Sequence, residues 1–192
     1  MLWNFDTIKE HLKTSANESR LKEVKDLFDN ASGKPEYKKI LLVNDFFNKK
    51  LKYVEDAINW DQKDYWATPV ESILRAAGDC EDYAICKYFA LLGLGIEVSK
   101  LRIVYVKAIK LKQAHMVLTY RATPTSNVQV LDNIIDVIKT FSQRHDLEYV
   151  YGFNADGLYI TEGTAEKRLR DTASLSLWQS LLEKMKAEGF SF

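Results

Sequence analysis

The chain has no apolar run approaching the roughly 18–20 residues needed to span a bilayer. It has no excess of charge either: 27 Lys and Arg residues balance 27 Asp and Glu. A formal net charge of zero points away from a general polyanion binder. The opening residues, Met1-Leu2-Trp3-Asn4-Phe5-Asp6, lack a basic stretch followed by an apolar one, so no signal peptide is visible. That leaves a cytoplasmic protein or a mature, trimmed chain. Cysteine is scarce, with only Cys80 and Cys86. Two cysteines make no disulfide framework. Six apart on one predicted helix, they point to different faces and are not expected to bridge. No repeat, low-complexity tract or flexible linker is present.

What is present is an ordinary globular composition, 46% hydrophobic and 28% charged, with a generous 12% aromatic share for a core. At 192 residues the chain is long enough for one domain with a full core. We read residues 1–192 as that single domain, with a helical part over 1–60 and the chemistry over 61–192. Apolar residues three and four apart predict helices over 6–30, 36–58, 69–77, 79–92 and 172–186, and a short one over 135–141. Strand patterns cover 101–109, 114–121, 128–131, 149–153 and 158–160, with Asn154-Ala155-Asp156-Gly157 as a turn. Helices followed by an antiparallel sheet make an α+β fold.

The segment Gly78-Asp79-Cys80-Glu81-Asp82-Tyr83-Ala84 places a cysteine just after a glycine, where a helix should begin. A helix N-terminus stabilises a thiolate through its unpaired N–H groups and dipole. His115 then stands inside the apolar strand Ala114-His115-Met116-Val117-Leu118, and Asp132 ends the run Val128-Gln129-Val130-Leu131-Asp132. A thiol, an imidazole and an acid in that order are the trace of a nucleophile with its base and orienter. The backbone N–H of Cys80 is a candidate oxyanion donor, with Trp66 and Gln113 as candidates for a second. Cys86 reads as core, and His11 and His145 as surface residues.

The carboxylates of Asp79, Glu81 and Asp82 count against this, because adjacent negative charge raises a thiol's pKa. Either they only cap the helix and favour its dipole, or a cation neutralises them. Carboxylate-rich oxygen ligation suits calcium better than zinc, although no EF-hand pattern is present.

These residues, with Asp64-Tyr65-Trp66-Ala67-Thr68-Pro69 and Leu131-Asp132-Asn133, resemble the bacterial transglutaminase-like cysteine proteinases over about residues 36 to 160. The resemblance implies a papain-like, transglutaminase-like core in which an antiparallel sheet packs on a central helix, with extra N-terminal helices. It implies Cys80 as nucleophile, His115 as base and Asp132 as orienter, and Ca2+ held by Asp79, Glu81 and Asp82. It further implies a periplasmic enzyme that cuts a large cell-surface adhesin near its N-terminus at a di-alanine site. An inner-membrane cyclic di-GMP receptor would control it and thereby biofilm attachment. No nucleic acid or membrane insertion is expected. Two alternatives stay open: acyl transfer to an amine by the same three residues, as in a transglutaminase or amidase, and a non-catalytic binding module.

Overall fold

The computed structural model describes residues 2–12, 14–162 and 165–192. Apolar residues at helical spacing form α1 (Phe5–Glu10), α2 (Ser15–Ala31) and α3 (Glu36–Lys50). The single helix expected over 6–30 is broken before residue 15, because the Thr14 hydroxyl accepts the Asn17 N–H and starts α2 afresh. The helix expected to reach residue 58 stops at extended Leu51. Beyond it lie β1 (Lys52–Tyr53) and the single turn α4 (Asp56–Asn59).

A second helical run follows the aromatic loop. α5 (Pro69–Arg75) begins with Thr68 and Glu71 in a reciprocal capping box and Pro69 in its first turn. It ends at Ala76 in the left-handed region, with φ of 51°. β2 (Ala77–Gly78) then pairs in parallel with β1, Lys52 opposite Ala77 and Tyr53 opposite Gly78. This two-residue bridge places α4 beside the start of α6 (Cys80–Gly93), whose residues 82 to 91 are all buried.

The remaining strands are β3 (Leu101–Ala108), β4 (Gln113–Tyr120), β5 (Gln129–Leu131), β6 (Lys139–Thr140), β7 (Leu147–Asn154), β8 (Gly157–Glu162) and β9 (Ala165–Arg170). They form one antiparallel sheet in the order β6-β5-β4-β3-β7-β8-β9. The helix expected over 135–141 is absent: side chains from α3 hold that stretch open, and β6 pairs with β5. β9 has no counterpart in the sequence reading; its run of charged residues, Glu166, Lys167, Arg168 and Arg170, hides a strand pattern. The last helix, α7 (Ser176–Ala187), begins four residues later than expected.

α6 lies between the sheet and the other helices, packing along β4 on one side and against α3 and α5 on the other. The main core draws Trp3, Phe28, Phe47, Tyr88, Phe89, Phe153, Trp178 and Phe190 into one cluster. Each such side chain contributes on the order of 1.5–3 kcal/mol by leaving water. Val104, Val106, Val117 and Val130 make a smaller cluster with Leu147. Among the described residues, no helix is long and apolar enough to cross a membrane.

The approach to α6 depends on Gly78. A Cβ there would lie 2.6 Å from Asp82 Cβ and 2.7 Å from its Oδ2. Gly78→Ala should therefore cost about 1–3 kcal/mol through overpacking. An unchanged urea midpoint for this variant would contradict that packing.

Candidate active site

Cys80 is the first residue of α6, and its helix is capped by its own acids. Asp82 folds back so that Oδ2 accepts the Asp79 N–H at 3.4 Å, while Oδ1 accepts the Ala67 N–H at 2.9 Å. Both Asp82 oxygens are thus committed to backbone. Its 0% exposure seals it from solvent.

The cluster that could hold a cation has a different third member. Asp56, Asp79 and Glu81 each bring one oxygen within 4.8 Å of the others. Asp82, expected as a ligand, lies outside this trio, where its two backbone bonds tie it into the helix cap. Asp56 was not anticipated, since only the β1–β2 bridge brings α4 to this place. Asp56 Oδ2 accepts the Tyr65 N–H at 2.5 Å, but its Oδ1 is buried without a hydrogen-bond partner among the described residues. Asp79 Oδ1 is likewise buried and unpartnered. Two orphaned carboxylate oxygens and a third carboxylate nearby are a fitting donor set for a hard cation such as calcium.

Burial raises Asp56 to about 6, further helped by Glu81 and Asp64. Burial, Glu81 and Asp82 push Asp79 far above the usual carboxylate range. The same surroundings act on the thiol. Burial pushes Cys80 up first, and the charge and hydrogen bond of Glu81 and the charge of Asp79 push it further. Cys80 Sγ donates to Glu81 Oε2 at 3.1 Å. One group opposes these: the main chain of Met116, next to His115 on β4, hydrogen-bonds the sulfur and favours the thiolate. Met116 also shows how closely β4 approaches the start of α6.

His115 is 3% exposed, and its Nε2 lies 2.8 Å from Asp132 Oδ1. An ionised carboxylate only accepts, so Nε2 carries the proton and Nδ1 is left as the ring's basic atom. Asp132 follows β5 directly, and the pairing of Leu118 with Leu131 sets it near His115. Its Oδ1 also accepts the Ile134 N–H at 3.1 Å, and Oδ2 accepts from Arg144 Nη2 at 2.7 Å. Its carbonyl oxygen accepts from Asn48 of α3 at 2.8 Å and from Lys87 of α6 at 3.1 Å. Lys87 is 1% exposed, and burial lowers its amine to about 7 against the pull of Asp132 and Asp136.

Cys80 and His115 line one groove of about 530 Å³ with Asp56, Trp66, Asp79, Glu81, Gln113 and Met116. Tyr105 and Tyr151, stacked at 5.3 Å, form part of its wall. Trp66 hydrogen-bonds the Asp64 carboxylate, and Gln113 is exposed at the start of β4. Cys86 is buried, while His11 and His145 are exposed. A thiol at a helix start and an acid-held imidazole in one groove can perform nucleophilic acyl transfer. Three functional candidates escaped the sequence reading: Asp56, Lys87 and Arg144. A buried basic residue in an apolar helix, as in Ala84-Ile85-Cys86-Lys87-Tyr88-Phe89, is the one signal that was readable.

The Asp132 network carries a pH consequence. Burial raises this carboxyl, but the bond and charge of His115, the Ile134 N–H and Arg144 outweigh it and hold it near 2. With the unfolded value near 3.9, the carboxylate stabilises the fold above about pH 4, and that stability is lost as pH falls toward 2. The loss should be about 2 kcal/mol. Urea unfolding from pH 5 to pH 2 should show this slope in the wild type and a shallower one in Asp132→Asn; equal slopes would contradict it.

Residues 10–154 match the family described as bacterial transglutaminase-like cysteine proteinase BTLCP. Three structures of Legionella pneumophila LapG, each 36% identical, have the same fold. The EGTA-treated form superposes with a TM-score of 0.86, covering 96% of this chain and 98% of that one. A second form gives 0.83 over the same shares. The calcium-bound form gives 0.82, over 95% of this chain and 99% of that one. No curated protein matches. With three-quarters of its length matched by the family and its fold shared with LapG, the chain belongs to the bacterial transglutaminase-like cysteine proteinases.

Proposed function

We propose that the chain is a calcium-dependent cysteine endopeptidase with Cys80 as nucleophile, His115 as base and acid, and Asp132 as orienter. The observation that carries this is the acid-held His115 sharing a groove with the helix-start thiol of Cys80. His115 takes the thiol proton, and the sulfur attacks the scissile carbonyl carbon. The Cys80 N–H, at the open end of α6, faces the developing oxyanion. The tetrahedral adduct collapses as His115 gives its proton to the leaving amine, and a thioester remains. His115 then deprotonates a water, which attacks the thioester. The carboxylic acid leaves, and the thiol recovers its proton.

Asp56, Asp79 and Glu81 would hold the calcium, and Asp82 would support them by fixing the helix start. Calcium bound there supplies positive charge that offsets the carboxylates beside the thiol. Legionella LapG has been captured both calcium-bound and EGTA-treated, which supports the same metal here. By its likeness to LapG, the protein is further proposed to act in the periplasm. Its substrate would be a large surface adhesin cut near the N-terminus at a di-alanine site, under an inner-membrane cyclic di-GMP receptor.

A di-alanine-containing adhesin fragment tests this reading. Cys80→Ala should lower cleavage by at least ~10³-fold without moving the melting temperature; retained cleavage would sink the nucleophile assignment. EGTA should silence the wild type, and excess calcium should restore it. Incorporation of a labelled amine in place of peptide hydrolysis would reassign the enzyme to acyl transfer.

The ligand set is checked by calorimetric calcium titration. Asp56→Asn should weaken binding at least ~10-fold, whereas Asp82→Asn should weaken it less and chiefly lower the melting temperature. The reverse ranking would return Asp82 to the ligand set.

A further inference from the structure

We propose that Arg144 is a positioning residue for the proteolytic reaction: it locks the Asp132 carboxylate so that one oxygen stays on His115 throughout the cycle. The inference rests on the reading of Cys80, His115 and Asp132 as the reacting group.

A carboxylate's last torsion is broad, and a single contact does not fix its plane. Asp132 Oδ1 meets His115 Nε2 at 2.8 Å, and Arg144 Nη2 meets Oδ2 at 2.7 Å. With both oxygens engaged from opposite partners, the carboxylate cannot swing away from the imidazole. Arg144 is itself fixed: Nε donates to Asp146 Oδ1 at 2.9 Å and Nη2 to Asp146 Oδ2 at 2.8 Å, a two-toothed grip. The row Asp146–Arg144–Asp132–His115 therefore runs from the partly exposed Asp146 to the groove.

Burial makes this arrangement costly as mere scaffolding. The side chains of Arg144 and Asp132 are 2% and 0% exposed. Apolar residues can often replace a buried ion pair at little cost to stability. What an apolar replacement could not do is hold the second oxygen. Asp132's carbonyl is already held by Asn48 and Lys87, so its backbone does not need Arg144. The carboxylate plane does, because its other contacts, His115 and the Ile134 N–H, both fall on Oδ1.

The test uses the full chain with calcium, and kcat is expressed per titratable Cys80 thiol, so that misfolded protein does not count. Arg144→Gln should lower kcat about 10–100-fold with KM within about two-fold, the signature of a misaligned group rather than lost binding. The downfield proton resonance of His115 Nε2–H should broaden or move upfield, and Arg144→Lys should recover part of both. Wild-type kcat per thiol with an unchanged resonance in Arg144→Gln would overturn the proposal. If that variant does not fold, Asp146→Asn decides. It loosens the grip on Arg144 from the solvent side, and a several-fold loss of kcat with a shifted resonance is expected, while wild-type values overturn the proposal. Asp132→Asn separates the two levels: its full activity would remove the underlying triad, whereas its inactivity beside a fully active Arg144→Gln would remove only the role of Arg144.

Discussion

Like-charge crowding at the start of α6 is the constraint around which the site is built. Asp56, Asp79 and Glu81 place oxygens within 4.8 Å of one another beside the thiol of Cys80. At an effective dielectric near 20, two unit charges at that distance repel by about 3–4 kcal/mol. Three such pairs reach on the order of 10 kcal/mol, comparable to the whole stability of a domain. The trio cannot all be ionised without a counter-charge. Protons are one answer, consistent with the upward shifts of Asp56 and Asp79. A divalent cation is the other, and the proposed calcium would join the ionisation of the trio to that of the thiol.

The second organising point is Asp132. α3 reaches it through Asn48, α6 through Lys87, β4 through His115 and the segment before β7 through Arg144. The helix that begins with Cys80 therefore also supports the acid behind His115, two turns further along. Displacement of α6 would disturb both halves of the proposed reacting group together. The charged interior around Asp132 contrasts with the apolar cluster of Trp3, Phe89 and Trp178, where packing and one buried bond, from the Trp3 indole N–H to the Phe89 carbonyl at 2.9 Å, secure α6.

Much of this was legible in the residues, and the omissions have physical causes. Gly78 before an acid-rich helix start marked the place of Cys80, and the apolar run around His115 marked β4, because both are local patterns. Asp56 was hidden because its position depends on a parallel bridge between residues 52–53 and 77–78, a pairing without local periodicity. The helix expected over 135–141 failed because Asn44 and Asn48 side chains, some ninety residues away in sequence, take its backbone and side-chain partners. Arg144, in a polar stretch with His145 and Asp146, carries no local pattern that singles it out; only the fold turns it inward. Spacing groups Asp82 with Asp79 and Glu81, and only the fold shows that its two oxygens accept the Ala67 and Asp79 N–H groups, outside the trio that could hold a cation. The adhesin and receptor rest on likeness to LapG, since groove residues set reaction type more firmly than substrate identity.

The most direct measurement is the rate at which iodoacetamide alkylates Cys80 at pH 7, with calcium and with EGTA. If a cation at Asp56, Asp79 and Glu81 offsets their charge, the thiolate fraction rises, and alkylation should quicken at least ~10-fold with calcium. That acceleration should vanish in Asp56→Asn. Equal rates in calcium and EGTA would contradict the proposed coupling between the acidic trio and the nucleophile.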